Sequence, residues 1–215
     1  MQTNNFLSPH ENLIFRIVHL DNVPWILENG LHCRNSDTQD SDYVDVGNEE
    51  IIERRRRIEV KIDPFGTLSD YIPFYFTPWS VMLYNIVTGH NVPKVAPDKI
   101  VMIVSRLTTL QKHGIKFVFT DRHALLVSAK HFDSIADLEK VIDWKILRNK
   151  DFKRDNEDPG KIERYQAEAL IFQNMPLDAV AGIVCASTET KEKIISMVEK
   201  RNFNAKVIEK AEWFF

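Results

Sequence analysis

The apolar runs of this chain are short, and the stretches between them are unequal in length. LIFRIVHL from Leu13, YIPFYF from Tyr71, KIVMIVSR from Lys99, KFVFT from Lys116, AVAGIVCAS from Ala179 and AKVIE from Ala205 have the β-branched and aromatic content of strands. A doubly wound parallel sheet needs strands and helices in regular alternation, because each crossover helix covers one face of the sheet. That regularity is absent here, and an α+β fold is the expectation.

Helical segments fall between these runs. Asp21 is placed to cap a short helix through NVPWILENG, which Gly30 stops. Thr77 and Pro78 make a cap and first-turn pair for a helix through WSVMLYNIVTG, ended by Gly89. EEIIERRRRIEV and LTTLQKHG are helix-compatible, and TETKEKIISMVEKR is a capped helix. Over residues 133–148, Ile135, Leu138, Ile142 and Leu147 recur at roughly helical spacing. KIERYQAEALIF, residues 161–172, reads as an amphipathic segment with Glu168 as an exposed acid between Ala167 and Ala169, whose small side chains leave clearance beside it. Two stretches carry no period: the polar residues 34–48, an exposed and mobile loop, and the charged residues 149–162, which lead into Glu168.

The 215 residues fit one domain spanning 1–215, and an apolar fraction of 44% is enough to build its core. No run approaches the roughly 18 apolar residues of a membrane span. The polar opening MQTNNFLSPHEN has neither the basic nor the apolar part of a signal peptide, so a cytoplasmic protein without a membrane partner is expected. Cys33 and Cys185 stand far apart and read as reduced structural thiols. The seven histidines form no close ligand pair, and no metal is expected. Phosphate-cradling and dinucleotide-binding glycine motifs are missing, as is the Gly-x-Ser-x-Gly elbow. The net charge of −3 excludes a generally basic surface but allows local basic tracks. Two exist: Arg54 to Arg57, and Lys145, Arg148, Lys150, Lys153 and Arg154 with Trp144 and Phe152 interleaved.

What remains is a histidine at a strand end, an arginine run, an aromatic cluster and a carboxylate behind a basic loop. Such groups suit cleavage of a positively charged glycosidic bond like that between ribose and nicotinamide in NAD+. A carboxylate on the ribose hydroxyls stabilises the oxocarbenium charge, aromatic faces hold the nicotinamide, and a guanidinium grips the pyrophosphate or acts on the acceptor.

FRIVHLDNVPWILENGL, YIPFYFTPWSVMLY, FTDRHA and RYQAEALIF resemble, in the same order, the motifs of the DarT family, and the resemblance spans about residues 13–210. Members are the toxins of DarT/DarG toxin–antitoxin pairs and transfer ADP-ribose from NAD+ onto bases of single-stranded DNA. The resemblance implies an ADP-ribosyltransferase-type domain with a central mixed or split β-sheet flanked by helices. It also implies NAD+ as co-substrate, single-stranded DNA and a macrodomain antitoxin of the DarG type as partners, and a monomer.

Carried over position by position, Glu168 in RYQAE resembles the family's catalytic glutamate. One arginine of IIERRRRIEV corresponds to the catalytic arginine, with Arg55 the first choice and Arg54 the next. His19 and Asn22 resemble NAD+ contacts. Tyr71 or Tyr75 is expected to face the nicotinamide, with Phe74 or Phe76 in the core. In the loop before Glu168, Lys150, Lys153 and Arg154 are expected to meet DNA phosphates and Phe152 to stack on an unpaired base. Trp79 stands where the family has an arginine, and stacking on a base is the expectation for it. FTDRHA and RYQAE lean toward thymine as acceptor. Guanine, RNA or protein acceptors remain alternatives, as does a single-stranded nucleic-acid-binding module without catalysis.

Overall fold

The computed structural model describes residues 4–201, 203 and 205–215. Its strands are β1 (Leu13–His19), β2 (Leu31–His32), β3 (Tyr71–Tyr75), β4 (Ile100–Arg106), β5 (Phe117–Thr120), β6 (His131–Phe132), β7 (Glu168–Phe172), β8 (Asn174–Met175), β9 (Gly182–Cys185) and β10 (Val207–Glu209). The helices are α1 (Val23–Asn29), α2 (Glu49–Arg55), α3 (Val81–Thr88), α4 (Leu107–Lys112), α5 (Leu138–Val141), α6 (Trp144–Arg148), α7 (Lys161–Tyr165) and α8 (Thr188–Lys200). Eight strands form one sheet in the order β10-β9-β4-β1-β3-β7-β5-β6, with β2 and β8 pairing separately. The β9–β10 pair is parallel and the other pairs of the large sheet are antiparallel, so the sheet is mixed and the fold is α+β.

The sheet is also split. β1 pairs with β4 along its whole length, whereas β1 and β3 share a single register pair, Phe15 with Tyr75. Where the two strands part, the guanidinium of Arg16 reaches across and donates from Nη1 to the Pro73 carbonyl at 3.0 Å. That carbonyl has no paired residue opposite it on β1, and a polar group left bare inside a protein is costly.

Alternation along β7 sorts its side chains. Ala169 and Ile171 join the large core with Phe74, Phe76 and Phe119, while Leu170 joins a smaller core with Val60, Leu68, Tyr71, Val118, Ala124 and Leu125. Glu168 is in phase with Leu170. Ile51 of α2 and Ile58 just beyond that helix pack on the smaller core, which seats the helix over the same side of the sheet.

Several local expectations need correction. Thr77 accepts a bond from the Trp79 N–H at 3.2 Å, a turn of its own, and the helix starts later with Ser80 accepting from Leu83 N–H at 3.1 Å. Asp21 caps nothing; the His19 ring accepts from its N–H at 3.2 Å, closing a 3₁₀ turn before α1. The apolar period of residues 133–148 is broken at Ile142, which is extended, and Asp143 starts a new helix by accepting from Ile146 N–H at 3.3 Å. KIERYQAEALIF is two elements, α7 and β7, because the helix ends at Tyr165 and the chain enters the sheet at Glu168. Gly30 stops α1 as expected with φ 80°, and a Cβ there would lie 2.7 Å from the Met175 carbonyl. Among the described residues no helix is long and apolar enough to cross a membrane.

Candidate active site

Glu168 is the first residue of β7, opposite Tyr75 of β3. On its other side β5 ends at Thr120, whose hydroxyl accepts from the Glu168 N–H at 3.1 Å and donates to the Arg122 carbonyl at 2.6 Å. The second bond turns the chain back over the sheet end. The turn brings two groups to Glu168 Oε1: the Ala124 N–H donates at 3.1 Å, and His123 Nδ1 lies 3.1 Å away. Oε2 is held by Arg55, whose Nη1 donates at 2.8 Å.

This arrangement overturns the exposed acid expected from the sequence, since Glu168 is 2% exposed. Its flanking alanines give no open clearance either; both are buried in the large core. Burial by itself raises a carboxyl pKa, but the Arg55 charge, the His123 contact and the Arg55 bond outweigh it, and Glu168 is held down to about 2. The site therefore contains a buried carboxylate, ionised above about pH 2 and held by Arg55 from α2 and by His123 and the Ala124 N–H from the turn after β5.

Arg55 is singled out from its run by helical phase. Asn48 caps α2 by accepting from Ile51 N–H at 3.1 Å, and Ile51 and Ile52 lie four and three residues before Arg55, on its face of the helix. Arg55 is accordingly buried, while Arg54, Arg56 and Arg57 are exposed. Its Nη2 is also buried and has no partner, which leaves a donor available beside Glu168.

A cavity opens at the split of the sheet. Its walls include Arg16 and Ile17 of β1, Tyr71, Pro73 and Tyr75 of β3, Ile51 and Arg55 of α2, the loop from Cys33 to Asn48, and His123, Gln166 and Glu168. Burial and the nearby Glu168 charge push the Tyr75 phenol up, so it stays neutral and keeps its proton.

Glu168, Arg55, Tyr71 and Tyr75 thus come together around one cavity. Of the two tyrosines, Tyr71 uses its hydroxyl on the Phe65 carbonyl at 2.6 Å within the smaller core, whereas Tyr75 sits opposite Glu168. Phe74 and Phe76 are both in the large core. Arg54 is exposed and does not line the cavity, nor do His19 and Asn22. Asn22 acts one step back: its side chain donates to the Val44 carbonyl and accepts from the Val44 N–H, both at 2.9 Å, and so clamps the loop that forms a wall.

The basic loop differs more. Trp79 is 2% exposed, donates from its indole to the Glu212 carbonyl at 3.1 Å, and offers no face for a base. Lys150 is drawn over that indole at 3.6 Å from the ring centre. Phe152 packs on Tyr165 and Tyr84 with ring centres 5.2 and 5.7 Å away, so it anchors the loop instead of standing free for stacking. Lys153 and Arg154 are exposed at the loop tip. Two further anchors hold the loop: Lys161 donates to Asp151 and Asp155 at 3.0 and 3.3 Å, and Arg164 to Asp158 and Asp143 at 2.6 and 3.2 Å.

His123 and Arg16 were not singled out from the sequence. The first lies inside the quoted FTDRHA, and only the turn after β5 reveals that its ring reaches Glu168. Arg16 sits in a strand that reads as buried and apolar, with nothing local to mark it. Among the described residues no three His, Cys, Asp or Glu side chains gather to hold a metal ion.

Comparison with known proteins places this geometry. Residues 15–215 match the family model described as "ssDNA thymidine ADP-ribosyltransferase, DarT". The chain is 45% identical over 210 residues to a DNA ADP-ribosyl transferase of Escherichia coli O127:H6 (strain E2348/69 / EPEC), covering 97% of this chain and 96% of the relative. The fold is similar to that of Thermus sp. 2.9 DarT in complex with ADP-ribosylated ssDNA, with a TM-score of 0.88 at 29% identity over 97% of this chain and 98% of that one. The same Thermus protein in complex with NAD+ gives a TM-score of 0.82 at 27% identity, over 95% and 98% of the two chains. A fusion protein of Thermosipho africanus (strain H17ap60334), 22% identical over 200 residues, joins a DNA ADP-ribosyl transferase to a DNA ADP-ribosyl glycohydrolase; the match covers 91% of this chain and 48% of the fusion. With a buried carboxylate–guanidinium pair at the split of a mixed sheet, and with this coverage and identity, the chain belongs to the DarT family of single-stranded DNA thymidine ADP-ribosyltransferases.

Proposed function

We propose that the protein transfers ADP-ribose from NAD+ onto thymine in single-stranded DNA, releasing nicotinamide, and that Glu168 carries the reaction. The observation behind this reading is the Glu168 carboxylate: buried, ionised, and held by Arg55, His123 and the Ala124 N–H at the edge of a cavity. A fixed negative charge in a water-poor site stabilises positive charge that develops on a ribose far better than a solvated one does. Glu168 binds a ribose hydroxyl as the bond from the anomeric carbon to the nicotinamide nitrogen breaks. Nicotinamide leaves neutral with the bonding electrons.

Thymine N1 is already bonded to deoxyribose, so N3 is its one ring nitrogen with a replaceable proton. The new bond joins N3 to the anomeric carbon, and the N3 proton must go to a base. Arg55 cannot take it, because a guanidinium paired with a carboxylate stays protonated. Its unpartnered Nη2 instead donates to a thymine carbonyl and orients the ring. His123 faces the cavity within 3.1 Å of Glu168 and is the group placed to receive the proton. N3 lies on the pairing edge, which a duplex hides, and this accounts for single-stranded DNA as substrate. Lys153 and Arg154, exposed on the loop before Glu168, meet backbone phosphates. A glycohydrolase that removes ADP-ribose from DNA is the matching antitoxin partner, and unopposed transfer makes the protein a growth-inhibiting toxin.

The test is incubation with NAD+ and oligonucleotides with and without thymine, read by mass spectrometry. A gain of one ADP-ribose confined to thymine-containing single strands is expected. Equal modification of thymine-free strands or of the duplex, or transfer to protein alone, contradicts the proposal.

A further inference from the structure

The loop between α6 and α7, which carries the exposed Lys153 and Arg154, is covered by a segment far away in sequence. Ala211–Trp213 forms a 3₁₀ turn, and Trp213 stacks on Phe6 with ring centres 5.4 Å apart and meets Phe15 edge-to-face at 5.6 Å. Phe214 is buried in the large core. These two residues fix the segment to the body of the protein. Phe215 does something else. It is 51% exposed, yet its ring stands edge-to-face against Tyr84 of α3 at 5.5 Å and against Phe152 of the loop at 6.2 Å.

The same segment reaches the loop through Trp79. The Glu212 carbonyl accepts from the Trp79 indole at 3.1 Å, and the indole ring carries Lys150 Nζ at 3.6 Å from its centre. On its backbone side, the Trp79 carbonyl accepts from the Tyr165 hydroxyl at 2.9 Å. Lys150 stands at the entry of the loop and Tyr165 in the helix after it, so both sides of the loop are tied to one residue. Lys150 turns the chain at φ 54°, a left-handed conformation that residues with a Cβ rarely adopt, and such a turn persists when its surroundings hold it.

We propose that residues 212–215 form a clasp that orders this loop for DNA, with Phe215 as a positioning residue, a role that rests on the DNA-modifying reading above. A loop loses conformational entropy when a strand fixes it, and contacts that order it beforehand remove that cost from binding. Lys161 and Arg164 hold the loop from α7 by ion pairs. The clasp holds it from the other side with packed rings. A ring half in water adds far less to the stability of the whole fold than Phe214, which is 1% exposed. What Phe215 covers is Phe152, and Phe152 directly precedes Lys153 and Arg154, so its ring sets where those two charges stand. Tyr84, Phe152 and Phe215 are not among the walls of the cavity, so the clasp bears on the acceptor strand and leaves NAD+ alone.

The test compares the wild type with Phe215→Ala, Tyr84→Ala and the conservative Phe215→Tyr. Order in the loop is read by the rate of trypsin cleavage after Lys153 and Arg154, and KM is measured separately for NAD+ and for a thymine oligonucleotide. Phe215→Ala and Tyr84→Ala are each expected to speed that cleavage and to raise the DNA KM by at least about fivefold, with the NAD+ KM within about twofold and the melting temperature within about 3 °C of wild type. Phe215→Tyr is expected to behave as wild type. Unchanged cleavage with an unchanged DNA KM overturns the proposal, and so does faster cleavage that leaves the DNA KM where it was. A raised DNA KM with unchanged cleavage also overturns it and makes Phe215 a direct contact of the strand. Parallel rises in both KM values, or a larger fall in melting temperature, overturn it as well and mark a purely structural prop. A wild type that leaves DNA unmodified contradicts the proposed function, whereas the trypsin comparison still reads whether the clasp orders the loop.

Discussion

Replacing Glu168 by Gln keeps the shape of the side chain and removes its charge, which strands the Arg55 guanidinium in a site where it is only 9% exposed. Breaking a buried ion pair by removing one partner costs roughly 3–5 kcal/mol, because the other charge remains desolvated. The titration of Glu168 gives a similar figure: a carboxyl held at about 2 against an ordinary 4.5 stabilises the folded, ionised state by roughly 3 kcal/mol. At about 2–4 °C per kcal/mol for a chain of this size, Glu168→Gln lowers the melting temperature by roughly 6–12 °C. Arg55→Met does comparable damage. The double variant Glu168→Gln with Arg55→Met leaves no unpaired charge and melts above either single variant. Urea and thermal denaturation followed by circular dichroism read all four proteins. A Glu168→Gln protein that melts within about 2 °C of wild type, or single losses that simply add in the double variant, would refute the reasoning that this pair is desolvated and coupled.

Three other outcomes follow from the same geometry. Among the arginines, Arg55→Gln lowers DNA modification by roughly 10²-fold or more, the size of effect seen when one charge-stabilising donor is lost, while Arg54→Gln, Arg56→Gln and Arg57→Gln stay within about threefold; equal losses at all four positions count against the helical phase assigned to the run. The carboxyl of Glu168 is depressed in the folded protein, so its contribution to stability is full above about 4.5 and disappears as pH falls toward 2. The stability gap between wild type and Glu168→Gln is therefore flat from pH 8 to 5 and closes below 4.5; a gap that changes near neutrality points to a different group. Finally, Lys161→Met frees the loop from Asp151 and Asp155 and raises the DNA KM at least fivefold with the NAD+ KM unchanged, as steady-state kinetics with each substrate varied shows; parallel changes in both constants argue that the loop serves the cofactor pocket.

The class of fold was legible because short apolar runs with unequal spacers exclude regular crossovers. The positions of β1, β3, β4, β5, β9 and β10 followed from the same runs; the two-residue strands β2, β6 and β8 left no pattern to read, and β7 was hidden inside KIERYQAEALIF, which reads as a single amphipathic segment. Arg55 was also within reach of the sequence, since Ile51, Ile52 and Ile58 fix which arginine of the run faces the apolar side. Glu168 was misread for a physical reason. A carboxylate between alanines looks solvent-facing unless its partners are known, and those partners come from positions 55, 123 and 124, brought together by the turn after β5 and by the seating of α2. The loop before Glu168 was misread in the same way. Its lysines and aromatics look available for DNA in isolation, but Phe152, Lys150 and Lys161 spend their contacts on Tyr165, Trp79 and two aspartates. Lys153 and Arg154 are exposed at the tip, and no such contact holds them among the described residues.

The most direct test of the central role of Glu168 is the single-turnover rate of ADP-ribose transfer to a thymine oligonucleotide by Glu168→Gln, measured well below its melting temperature with the fold verified by circular dichroism. Loss of the fixed negative charge from the water-poor site is expected to slow transfer by roughly 10³-fold or more. A folded Glu168→Gln protein that modifies DNA within tenfold of the wild-type rate contradicts the account.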